Sequence, residues 1–226
     1  MFLVGEASNV SMSDWLTQEV EEHGDVLQGD FPESNQHLTH KTMLGLSWVA
    51  RHCSHARHVL KTNQDAWVNL PSLLTYLRAY PLVPPFGLGG CCQHTNRPDP
   101  PFCVGPGYVT TPDVAEEIVR VSGEVPFYRR EDVYIGVCLR RLGLRGQRIP
   151  GFSIELGDST WITELCQLHG NRVILRHGFT PLEIQVIWRE GRCTPTPVQL
   201  KIGLPLSRRQ VEREAARRRW NKERRD

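Results

Sequence analysis

Short apolar runs ending in turn residues alternate along this chain with segments of helical period, and that alternation restricts the fold more than any other feature. Phe2-Leu3-Val4 closed by Gly5, and Val59-Leu60 running into Lys61-Thr62-Asn63-Gln64-Asp65, read as short buried strands. Between them Leu38, Thr42, Leu46, Val49 and Cys53 recur every three or four positions, which predicts a helix over 37–53. Pro71 opens another helix carrying Leu73, Leu74 and Leu77. Thr111 as N-cap, Pro112 in the first turn, a Val114/Ile118/Val121 face and Gly123 as stop define a third. A fourth spans 131–142, with Tyr134, Val137, Cys138 and Leu142 as its stripe and Gly143 beyond it. Phe152-Ser153-Ile154 and Val173-Ile174-Leu175 suggest further strands, and Pro181 opens a helix ending near Trp188. Strands alternating with helices predict a layered α/β domain. The Pro- and Gly-rich stretch 81–107 reads as a long loop, the kind that tends to carry function.

Length permits one large core or two small ones, since 226 residues need no covalent staples to fold. No stretch approaches the roughly 18 consecutive apolar residues of a spanning helix, so this chain as given is not expected to be an integral membrane protein. Met1 to Glu6 lack the basic flank and long apolar core of a signal peptide. Charge is divided unevenly: residues 207–226 hold nine Lys/Arg against four Asp/Glu, although the whole chain is only +2. The body is therefore mildly acidic and 207–226 form a basic, Arg-rich tail. A whole-surface nucleic-acid binder would spread its positive charge over a folded face, so no nucleic-acid partner is expected. Seven cysteines stand at 53, 91, 92, 103, 138, 166 and 193 without a C-x-x-C pair, which disfavours zinc-ribbon and thioredoxin-type sites.

Two segments could carry chemistry. Asp65 lies just past a strand end, where ligands bind in α/β folds and where a hard cation could hold a diphosphate. The plainer reading is a turn aspartate accepting backbone hydrogen bonds. Glu131 and Asp132 open a helix, a placement that the helix dipole favours by itself. In a pocket, either could instead act as a general base toward a substrate hydroxyl.

With their flanks these segments resemble the β-1,3-galactosyltransferase family and its N-acetylglucosaminyl relatives. The resemblance rests on five ordered motifs. They are His23-Gly24-Asp25-Val26-Leu27-Gln28-Gly29-Asp30-Phe31 with Leu38-Thr39-His40-Lys41-Thr42, then Val59-Leu60-Lys61-Thr62 before an acidic-triplet position, then Pro100-Pro101-Phe102-Cys103-Val104-Gly105-Pro106-Gly107-Tyr108-Val109. Glu131-Asp132-Val133-Tyr134-Ile135-Gly136-Val137-Cys138-Leu139 follows, and then Val173-Ile174-Leu175-Arg176-His177 with Pro181, Glu183 and Trp188. The likeness covers about 2–190, so 1–206 is expected to be one glycosyltransferase-like domain and 207–226 its tail.

The resemblance implies a GT-A-type fold, a mixed sheet flanked by helices, here missing its first strand. It implies an inverting hexosyltransferase that moves galactose or N-acetylglucosamine from a UDP-sugar to a glycan hydroxyl on glycoprotein or glycolipid. Asp132 matches the base, with Glu131 beside it, and Lys61, Asn63, Gln64 and Asp65 match the donor-binding segment. Asp65 and His177 match ligands of Mn²⁺ or another divalent cation. The family's setting implies a Golgi membrane protein with a lumenal catalytic domain, its anchor outside this chain. In a lumenal protein the Asn9-Val10-Ser11 sequon has meaning. Cys53, Cys103 and Cys138 fall in family-like segments, as candidate disulfide partners or buried thiols.

Two of the three acids usual in the family triplet are replaced by Asn63 and Gln64, so weaker metal affinity is expected. The stretch from Asn69 to Cys103 is shorter than usual in the family. A non-catalytic relative acting through a partner is the alternative those substitutions raise. A zinc or nucleic-acid module built on Cys91, Cys92, His94 and Cys103 fits no standard ligand spacing.

Overall fold

The structure, a computed structural model, describes residues 1–7, 9–93, 102–153, 168 and 173–190. Its central sheet is built largely from the stretch that the sequence reading assigns to a loop. Phe86–Gln93 (β5) and Phe102–Thr110 (β6) are long antiparallel strands in a four-stranded sheet. Val59–Thr62 (β3) and Arg145–Arg148 (β7) complete it in the order β3-β6-β5-β7, with only β5 and β7 parallel. Glycine disguises these strands, because it has poor β-propensity. Here it is required by neighbours that leave no room for a Cβ. One added at Gly146 of β7 would sit 2.6 Å from Cys103 Sγ and 2.7 Å from Cys92 Sγ. Those two cysteines form a disulfide between β5 and β6. Cys53, Cys91 and Cys138 are thiols, so of the three expected candidates only Cys103 is bonded.

Alternation along β6 sorts the core into two layers. Tyr108 faces Leu46, Ala115, Ile118, Val121, Ile135 and Leu139, whereas Val109 faces Leu73, Leu77, Ile149, Ile174 and Leu175. The first layer is covered by Leu38–His52 (α2), Pro112–Val121 (α4) and Glu131–Arg141 (α5); the second by Leu70–Ala79 (α3). Ile118 and Val121 are fully buried, each contributing roughly 1.5–3 kcal/mol by area. Helix starts follow the predicted chemistry: Thr111 and Asn69 cap α4 and α3 by accepting from the N–H groups of Val114 and Ser72. Beyond α5, Gly143 takes a left-handed φ of 70°, matching its reading as a stop.

The N-terminal part is a parallel unit. Phe2–Glu6 (β1) pairs with Val26–Pro32 (β2), and the crossover between them is a helix at Val10–His23 (α1) that periodicity does not reveal. No residue of α1 is buried, so it has no apolar stripe to read. Helix α2 packs on β1 and on α4, joining this unit to the main layers. Ala66–Val68 (β4) pairs antiparallel with Leu175–His177 (β8), and Pro181–Glu190 (α6) follows. The α6 start is a reciprocal capping box: Thr180 N–H donates to Glu183 Oε2 at 2.6 Å and Glu183 N–H to Thr180 Oγ1 at 3.3 Å. Phe152 bridges Leu175, and the strand predicted from Val173 begins at Leu175; Ile154 lies outside the described residues. The fold is thus mixed α/β, a multi-stranded sheet flanked by helices. The tail 207–226, Cys166 and Cys193 lie outside the described residues.

Candidate active site

Strand β3 delivers Lys61 and Thr62, and the chain then turns through Asn63-Gln64-Asp65 into β4. The turn is anchored at both ends. Asn63 N–H donates to Pro106 O at 2.9 Å, and Asp65 O accepts from the N–H groups of Gly178 and Phe179 at 2.9 and 3.0 Å. Because Ala66 is in register with His177, that anchoring sets the Asp65 carboxylate beside the His177 imidazole. Oδ2 and Nδ1 are 3.9 Å apart, with side chains 33% and 28% exposed. This distance is too long for a hydrogen bond, so neither atom is taken up by the other. A carboxylate oxygen and an imidazole nitrogen are both donors that divalent first-row metals accept. Among the described residues no cluster of three or more His, Cys, Asp or Glu gathers, so these two would be a partial ligand set.

A second group of side chains is buried directly beneath the turn. Lys61 and Tyr108 are cross-strand partners in β3 and β6. Tyr108 donates its hydroxyl to Glu131 Oε1 at 2.6 Å, and Lys61 Nζ lies 3.3 Å from Glu131 Oε2 and 3.2 Å from Asn63 Oδ1. Glu131 is only 5% exposed at its side chain. Burial, followed by the adjacent Glu131 charge, pushes the Tyr108 hydroxyl well above the ordinary phenol range, so it stays a donor.

Asp132 is oriented differently, with 15% of its side chain exposed. Its Oδ1 accepts from Val133 N–H at 2.9 Å and its Oδ2 faces Arg130 Nη2 at 3.2 Å. The Arg130 guanidinium also covers the Phe102 ring at 5.3 Å. The approach to α5 is fixed by buried Thr39, whose hydroxyl faces the carbonyls of Tyr128 at 2.9 Å and Arg129 at 3.1 Å. The structure therefore links Lys61, Asn63 and Glu131 directly, pairs Asp65 with His177, sets Asp132 next to Glu131, and leaves Gln64 exposed on the turn. Tyr108 is the site residue that sequence reasoning missed. Its signal is the β3–β6 register, which is hidden while β6 is read as a loop. The Cys91/Cys92/His94/Cys103 zinc reading fails, because Cys92 and Cys103 are consumed by their disulfide. His94 lies outside the described residues.

A family model described as Galactosyltransferase matches residues 1–97 and 93–150. The chain is similar to beta-1,3-galactosyltransferase 5 of Homo sapiens, 36% identical over 162 residues that make up 64% of this chain and 52% of that protein. It is also similar to beta-1,3-galactosyltransferase 1 of Mus musculus, 32% identical over 210 residues, 84% of this chain and 62% of that protein. The chain thus spans little more than half the length of these relatives. With a family match over most of its length and relatives of this identity, the chain belongs to the galactosyltransferase family.

Proposed function

We propose that this chain carries the donor turn and the base of an inverting β-1,3-hexosyltransferase. It would move galactose or N-acetylglucosamine from a UDP-sugar to a hydroxyl of a glycan on glycoprotein or glycolipid. The observation that carries this reading is the junction at 63–65: one side of the turn holds the Asp65/His177 pair, and the other is tied through Lys61 to the start of α5. Asp132, next to the buried Glu131, takes the proton of the acceptor hydroxyl as that oxygen attacks the anomeric carbon. Attack opposite the leaving diphosphate inverts the centre. Glu131 is a positioning group whose two oxygens are engaged by Tyr108 and Lys61. A divalent cation, held by Asp65 and His177, would supply charge neutralisation for the diphosphate. We place the protein at the Golgi membrane with this domain in the lumen, on the strength of the family resemblance. No helix among the described residues is long and apolar enough to cross a membrane.

A UDP titration in Mn²⁺ and in chelator tests the donor half. Binding should be metal-dependent, and Asn63→Asp should tighten the metal-dependent part by about tenfold, as groups near a bound metal do. Unchanged affinity would count against the site. The second reading, a non-catalytic relative, rests on Asn63 and Gln64 standing at the acidic-triplet positions. UDP binding absent in both conditions would select it.

A further inference from the structure

We propose that Asn9 is an N-glycosylation site, and that the glycan and the helix cap use different atoms of one side chain. Asn9-Val10-Ser11 is the one Asn-x-Ser/Thr triplet in the sequence, and its middle residue is not proline. All three residues are exposed. Asn9 precedes α1 in extended backbone, φ −154° and ψ 165°, so its side chain leaves the chain before the helix begins. Its Oδ1 accepts from Met12 N–H at 3.0 Å, an N-cap bond of the kind that holds a helix start.

The modification takes the other terminal atom. Nδ2 forms a bond to the anomeric carbon of an oligosaccharide carried on a lipid diphosphate. The carbon–oxygen bond to the diphosphate breaks, the lipid diphosphate leaves with that electron pair, and one Nδ2 proton passes to a base of the transferring enzyme. The amide carbonyl is unchanged, so Oδ1 continues to cap α1. The surface there has room, because no residue of α1 is buried; Val10 and Trp15 are 77% and 75% exposed.

The inference rests on the lumenal placement proposed above, and the experiment separates the two. The full chain is expressed behind a cleavable secretory targeting sequence in a eukaryotic cell. Total cell material is then compared before and after digestion with a peptide-N-glycosidase. The expected result is a single-step mobility shift on digestion, lost in Asn9→Gln and in Ser11→Ala and kept in Ser11→Thr. Asn9→Ala should melt below Asn9→Asp, which lacks the glycan but retains a capping oxygen. An undigestible wild-type band, or a shift that persists in Asn9→Gln, would overturn the assignment. Because targeting is supplied, that failure speaks only to Asn9.

Discussion

Glu131 and Asp132 are chain neighbours with opposite surroundings. One carboxylate is sealed between a phenol and an ammonium, while the other keeps more contact with solvent at the start of α5. In the function proposed above, that difference gives them different work, which adjacency in the sequence could not do. That both lie in an ordered motif was legible in the sequence, as it was for Asp65 and His177. The role of Tyr108 was not, because it depends on which strand lies beside β3. Tyr108→Phe removes one hydroxyl and leaves Glu131 Oε1 buried with a lost donor, so stability should fall by about 1–3 kcal/mol. Denaturant unfolding measures this, and UDP affinity measured in parallel should stay at the wild-type value. A variant as stable as wild type would show that the Tyr108–Glu131 bond contributes little.

At the scale of elements, the helices with an apolar stripe and a cap were readable, and those without were not. α4 was bounded by Thr111, Pro112 and its buried face, whereas α1 buries nothing and left no period. Strands β5 and β6 were hidden by glycines whose presence answers to packing, since a Cβ would run into Leu139 at Gly87, Ile149 at Gly89 and Leu175 at Gly107, a tertiary requirement that local propensity opposes. The seam between β1, β2 and α2 depends on Glu33. Its Oε2 accepts from Gly5 N–H at 2.7 Å and its Oε1 pairs with Lys41. Partial burial pushes this carboxyl up, but the Gly5 N–H and Lys41 outweigh it and hold it below its ordinary value of 4.5. A carboxylate depressed in the folded state stabilises above its unfolded value and loses that contribution as pH falls through the folded one. Glu33→Gln should therefore lower the melting temperature at neutral pH, with the gap closing as the solution is acidified below about 4.5. A gap that stays constant with pH would assign the loss to something other than this charge.

For the whole molecule, the α/β class followed from alternating strand and helix patterns and the family from motif order, while the arrangement of the sheet and the junction of the 63–65 turn with the start of α5 required the structure. Two layers hold β6 between them, and the register of β6 against β3 brings the 63–65 turn over the start of α5. In the function proposed above this junction is catalytic, with Asp132 as the base. Hexose transfer from a UDP-sugar to a glycan acceptor, measured for wild type and Asp132→Asn at saturating donor alongside UDP affinity, tests it most directly. The substitution keeps the shape and one acceptor oxygen for Val133 N–H but removes basicity, so transfer should fall by roughly 10²-fold or more while UDP affinity is unchanged. Transfer by Asp132→Asn at the wild-type rate would exclude Asp132 as the base.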